Sequence, residues 1–165
     1  VYDTFVKTHP DRNPDDGLFL QLTELSPDPR TIKTHLPFSL LNPNILDTCK
    51  VVYVAREPKD VVVSLFHYCR KVTIHGYVGS LESFIDHFVN DTLICSPYWT
   101  HVKEAWMRRK HPSLHFIYYE DLKANPKAEI SRLQQFLGTN LDDDQINNVM
   151  FFSSFVFIRS VLILN

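Results

Sequence analysis

"KVVYVAREPKDVVVS", residues 50–64, is the stretch that decides the fold. "KVVYVAR" is a near-continuous apolar run of strand length, the pattern of a strand covered on both faces in a parallel sheet. Pro58 then opens a helix, because its fixed φ and missing N–H suit the first turn. "KDVVVSLFHYCRKV" (59–72) carries that helix on, and Val61, Leu65, Tyr68, Cys69 and Val72 fall at helical spacing as its expected apolar stripe. The arrangement leaves Arg56 at the carboxyl end of a buried strand, with Ser64 in the first two turns of the helix that follows.

Outward from this unit, "LESFIDHFVN" (81–90) and "SPYWTHVKEAWMRRK" (96–110) read as helices, and "SLHFIYYEDL" (113–122) as another strand. "NPKAEISRLQQFLG" (125–138) is a helix with Pro126 near its start and Gly138 just past its end. "RTIKTHLPF" (30–38) reads as a short strand ending before Pro37. Residues 1–30, rich in Pro, Asp and Asn, are expected to wrap the surface around one apolar piece, Leu18–Leu22. Strands alternating with helices predict an α/β fold, a parallel sheet flanked by helices, in a single domain over residues 1–165. No internal repeat or low-complexity linker divides it.

Composition narrows the function. A formal net charge of −2 over 165 residues argues against broad nucleic-acid binding, though not against a local anion site. Cys49, Cys69 and Cys95 form no CxxC pair and are odd in number, as in a reduced, cytoplasmic protein. The histidines show no HExxH or comparable spacing, so no metal is expected. The N-terminus, "VYDTFVKTHPDRNPDDG", lacks the charged start and apolar run of a signal peptide. The tail "VMFFSSFVFIRSVLILN" (149–165) is apolar but interrupted by Ser153-Ser154 and Arg159, and is shorter than the roughly 20 residues of a membrane span. It reads as a displaced or incomplete core segment, not as a membrane anchor.

The chemistry begins at Arg56. In an open parallel sheet, ligands bind outside the carboxyl ends of the strands. A guanidinium fork there, beside a helix N-terminus and the Ser64 hydroxyl, has the parts of a phosphate clamp. Equally, Arg56 could pair with Glu57 or Asp60 on the surface, and Ser64 could be an ordinary helix serine. In "KTHLPF", Lys33 and His35 flank Thr34 and share one side of an extended chain. An imidazole can take a proton from a hydroxyl near neutrality, and an ammonium can neutralise charge developing on a transferred anionic group. A sheet-edge histidine and a solvated lysine are the plainer alternatives.

Together, "TIKTHLPFSLL" (31–41), "KVVYVAREPKDVVVSLFHYCR" (50–70) and "FIYYEDLKANPKAEISRLQQFLG" (116–138) closely resemble the cytosolic sulfotransferases, over roughly residues 30–155. The resemblance implies a P-loop-nucleotide-hydrolase-like sulfotransferase fold. It also implies transfer of a sulfuryl group from 3′-phosphoadenosine 5′-phosphosulfate to a hydroxyl or amine of a small acceptor such as a phenol, alcohol or steroid, with no metal. By resemblance, Arg56 and Ser64 grip the 3′-phosphate, and Tyr119 lies at the adenine. Ser153 and Phe155, in "SSF", also meet the nucleotide. His35 matches the catalytic base, and Lys33 a lysine beside the transferring sulfonate.

Two family elements are missing. A loop of the type "YPKSGTTW", which cradles the 5′-phosphosulfate, has no counterpart in residues 1–30, and the chain holds only four glycines, Gly17, Gly76, Gly79 and Gly138. The "RKGxxGDWK" segment that meets the 3′-phosphate from the far side is absent too, as is the family's dimerisation segment. Arg159, with no glycine after it, is no substitute. The chain is therefore expected to be an incomplete, internal portion of a sulfotransferase domain. The competing readings are a non-catalytic relative that binds a 3′,5′-bisphosphate nucleotide, and a membrane-tethered fragment resting on the tail alone. The intact Lys33/His35 pair favours enzyme ancestry, since a pure binder has no need of a base.

Overall fold

A computed structural model describes residues 1–72, 75–94 and 96–153. It divides into two compact units, Val1–His35 and Leu36–Asn165.

The first unit holds two helices, α1 (Tyr2–Thr8) and α2 (Leu18–Leu25). Phe5 of α1 is almost fully buried and stacks on His9. Between the helices, the Asn13 side chain accepts from the Asp15 N–H, and Gly17 takes φ 104°, a left-handed conformation that turns the chain into α2. Arg30 folds back on the end of α2, donating to the Thr23 carbonyl at 2.9 Å and to Asp28 at 2.8 Å. A cationic donor there satisfies a carbonyl that the last turn leaves unpaired. Residues 1–30 are thus largely helical.

Residues 31–37 form no strand. Alternation gave this stretch a strand's side-chain pattern, but a strand exists only through its ladder. The sheet of the described residues is made of two other segments.

In the second unit, α3 (Ile45–Thr48) leads into β1 (Val51–Ala55). The crossover runs through α4 (Pro58–Lys71), α5 (Leu81–Val89) and α6 (Tyr98–Arg108) to β2 (Leu114–Tyr118), and α7 (Tyr119–Ala124), α8 (Pro126–Leu137) and α9 (Asp143–Ser153) follow. The strands pair in parallel, from Val51 opposite Leu114 to Ala55 opposite Tyr118. The α/β reading and the six elements drawn from periodicity stand. Pro58 and Pro126 open their helices as expected. At Gly138, φ 78° lets the amide turn back to the Gln134 carbonyl and close α8.

Three expectations need correction. The buried face of α4 is Val62, Phe66 and Cys69: Cys69 of the expected stripe is buried and Leu65 packs against the cluster, but Val62 and Phe66 take the places given to Val61 and Tyr68, and Tyr68 is exposed. Both sets satisfy helical spacing. The phenyl ring of Phe66 decides between them, meeting Phe84 edge-on at 5.6 Å and Tyr77 at 6.1 Å. Secondly, β1 is not covered on both faces: Val52 and Val54 remain 40% and 51% exposed, while Ala55 is buried. Thirdly, "SLHFIYYEDL" does not stay extended. The strand stops at Tyr118, and Tyr119 opens α7.

The core has two centres. Phe38, Leu46, Ala105 and Leu114 pack against the inward side of β1 and β2. Val62, Phe66, Cys69 and Phe84 join α4 to α5. Each large side chain removed from water here contributes about 1.5–3 kcal/mol. No helix of the described residues is long and apolar enough to cross a membrane.

Candidate functional site

Parallel pairing makes the site. Ala55 and Tyr118 stand opposite each other in the ladder, so the next residues, Arg56 and Tyr119, leave neighbouring strands side by side. The Arg56 guanidinium lies over the Tyr119 ring, 4.4 Å from its centroid. Such stacking holds a planar cation in place and leaves its edge free to bond. Both residues are half-buried. Arg56 Nε is enclosed and has no hydrogen-bond partner among the described residues.

Asp60 faces this group from the first turn of α4, with Oδ2 3.6 Å from a terminal nitrogen of Arg56. The surface pair weighed from the sequence is therefore present. Ser64 lies a further four residues along, on the same face of α4 as Asp60, and is exposed. Lys123, one turn into α7, sits 5.9 Å from the centroid of the Tyr119 ring.

The backbone of the strand-to-helix junction is held by two more side chains. The Tyr98 hydroxyl, from α6, donates to the Arg56 carbonyl. The Glu57 N–H donates to Glu120 Oε1, from α7, at 2.9 Å. Burial pushes the Tyr98 phenol above its ordinary range, and the carboxylates of Glu57 and Glu120 push it the same way. Tyr98 is a donor here, so a firmly held proton suits its task. A second tyrosine lies behind it: Tyr53 pairs with His101 Nδ1 at 2.8 Å, and burial, with Tyr98 and Glu104 adding to it, raises its phenol to about 12.

Lys33 and His35 are exposed and belong to the first unit. Lys33 borders a cleft of about 280 Å³ lined by Phe19, Leu22, Thr23, Ser26 and Arg30 among others. Ser153 ends α9, where its hydroxyl donates to the Val149 carbonyl at 2.6 Å. Phe155 and the rest of the tail lie outside the described residues. Among the described residues, no cluster of His, Cys, Asp and Glu is placed to hold a metal. Sequence reasoning missed Tyr98 and Glu120. Glu120 adjoins Tyr119 in "YYED" and could have been drawn from that, but Tyr98 carries no local signal.

Residues 17–165 match the sulfotransferase domain model. Mouse sulfotransferase 1A1 is 42% identical over 138 residues, which are 82% of this chain and 47% of the relative. A retinol dehydratase, solved with androsterone and the inactive cofactor PAP, superposes with a TM-score of 0.76 at 37% identity, over 83% of this chain and 40% of its own. A mouse sulfotransferase complexed with PAP gives 0.80 at 26% identity, over 86% of this chain and 51% of its own. The chain thus spans about half the length of the curated relatives it matches. On the extent of these matches, the chain belongs to the sulfotransferase family.

Proposed function

We propose that the second unit carries the 3′-phosphate side of a nucleotide site, in a protein that transfers a sulfuryl group from 3′-phosphoadenosine 5′-phosphosulfate to a hydroxyl or amine of a small acceptor. The carrying observation is the Arg56 guanidinium, stacked on Tyr119 beside the start of α4. The Arg56 side chain as a whole is 30% exposed, so the outer edge of the guanidinium stays open to a phosphate oxygen, for which its N–H groups are fitting donors. PAP in the related structures supports the same nucleotide class.

In this reading Arg56 and Ser64 hold the 3′-phosphate and Tyr119 offers its ring to the adenine, with Ser153 and Phe155 adding contacts. The donor nucleotide supplies the sulfuryl group. His35 takes the proton from the acceptor oxygen or nitrogen, and Lys33 balances negative charge as it builds. Neither task calls for a metal. The androsterone of the related complex favours small, largely apolar acceptors such as steroids and other alcohols. The same reading puts the protein in the cytoplasm, as a homodimer when its dimerisation segment is present.

Calorimetric titration with 3′-phosphoadenosine 5′-phosphate and with adenosine 5′-monophosphate tests this. The wild-type chain is expected to prefer the 3′-phosphorylated nucleotide. Arg56→Ala should lose about 10–100-fold of that preference, the worth of a charged hydrogen bond. A preference that survives Arg56→Ala overturns the assignment.

A further inference from the structure

The peptide joining Arg56 to Glu57 is held at both of its polar atoms by side chains from two other helices. Its carbonyl accepts from the Tyr98 hydroxyl on α6, and its N–H donates to Glu120 on α7. Glu57 is the N-cap of α4, and Asp60 is the third helical residue after it. In a capping box the acidic or amide side chain at that third position turns back to the N-cap N–H. Here Asp60 is turned to Arg56 instead, and Glu120 supplies the missing acceptor from another element. Tyr119, the neighbour of Glu120, lies under the guanidinium. One turn of α7 therefore fixes both the backbone and the side chain of the strand-end arginine.

We propose that Glu120 and Tyr98 are positioning residues for Arg56. Neither touches the nucleotide in this assignment. They set the direction in which the chain leaves β1, and so where the guanidinium can stand. The proposal rests on the reading of Arg56 as the 3′-phosphate ligand. Its physical content is nevertheless local: without the Glu120 acceptor or the Tyr98 donor, the junction peptide can turn, and the arginine loses its fixed aim. A displacement of about 1 Å at a positioned group is enough to weaken what it binds.

The test uses the full chain and four variants: Glu120→Ala, Glu120→Gln, Tyr98→Phe and Arg56→Ala. The first readout needs no nucleotide. Exchange of the Glu57 amide hydrogen is expected to speed up about tenfold in Glu120→Ala, one hydrogen bond's worth. It should return towards wild type in Glu120→Gln, which keeps a carbonyl oxygen at that place. The second readout is affinity. Glu120→Ala and Tyr98→Phe are expected to weaken 3′-phosphoadenosine 5′-phosphate about five- to tenfold, again the scale of one hydrogen bond, and to leave adenosine 5′-monophosphate unchanged. Glu120→Gln should recover most of the loss. Unfolding midpoints show whether each variant is folded, and Tyr98→Phe keeps the question open to refutation if Glu120→Ala collapses. Slow exchange of the Glu57 amide in a folded Glu120→Ala overturns the clamp itself. Faster exchange with unchanged affinity overturns the positioning role. Should Arg56→Ala keep the 3′-phosphate preference, the nucleotide reading falls and takes the positioning role with it, whatever the exchange rates show.

Discussion

His115 of β2 lies nearly face to face with Phe136 of α8, with 5.2 Å between ring centroids and 21° between planes. Its Nε2 is buried and has no hydrogen-bond partner among the described residues. Lys50 meets the same phenylalanine, 5.7 Å from the ring centroid, while donating to the Leu137 carbonyl. This stack fastens α8 to the sheet and places a titratable ring in the joint.

Burial holds the His115 imidazole below its ordinary pKa, Arg132 acts the same way, and Glu129 partly opposes them. The folded chain thus prefers the neutral ring, whereas the unfolded chain takes up a proton near pH 6.5. Stability from this group is complete above that pH and falls as pH drops towards the lower folded value. Denaturant midpoints measured from pH 8 to pH 5 should decline more steeply for wild type than for His115→Phe. Equal slopes would remove His115 from the account.

The rotated face of α4 is open to direct test. Phe84 is 1% exposed and meets both Phe66 and Tyr77. Phe84→Ala or Phe66→Ala should cost about 3–5 kcal/mol, and exposed Tyr68→Ala within about 0.5 kcal/mol of nothing. A large loss at Tyr68 would restore the stripe drawn from spacing.

Gly138 has room for a Cβ, whose nearest neighbour would be Lys50 Nζ at 3.7 Å, so any penalty there is conformational. At φ 78°, Gly138→Ala should destabilise by about 1–2 kcal/mol, and Gly138→Asn by less. Thermal unfolding of the two variants, compared side by side, checks the order.

Asp60 and a bound phosphate would compete for Arg56. Asp60→Asn removes the competitor, and should tighten 3′-phosphoadenosine 5′-phosphate a few-fold at low salt and less at high salt. Weaker binding would instead mean that Asp60 orders the guanidinium for its ligand.

Turnover separates the enzyme from the non-catalytic relative. In a transfer assay with labelled donor and a small phenol, His35→Ala should lower the rate by about 10²–10⁴-fold and leave nucleotide affinity alone. Nucleotide binding by wild type with no transfer would favour the binder.

What the sequence disclosed follows the range of the interactions involved. β1, β2 and the helices α4, α5, α6 and α8 are written in apolar spacing and in their end residues, Pro58, Pro126 and Gly138, all of which act within a few positions. The strand expected at residues 30–38 was not, because it needed a partner that alternation cannot supply. Periodicity could not choose between two faces of α4, since only the ring contacts of Phe66 with distant residues separate them. At the site, Arg56, Ser64 and Tyr119 came from position and family pattern. Tyr98 and Glu120 bond residues 42 and 63 positions away, and no local reading reaches that far.

The parallel register also lets strand length decide which residues meet beyond the ladder. Arg56 meets Tyr119 because Ala55 and Tyr118 are the last paired residues of strands equally long. Deleting one residue from β1, with the ladder otherwise kept, would move the arginine about 3.3 Å along the strand and turn its side chain to the opposite face. The Arg56–Tyr119 contact therefore tolerates changes of residue type within β1 far better than changes of length.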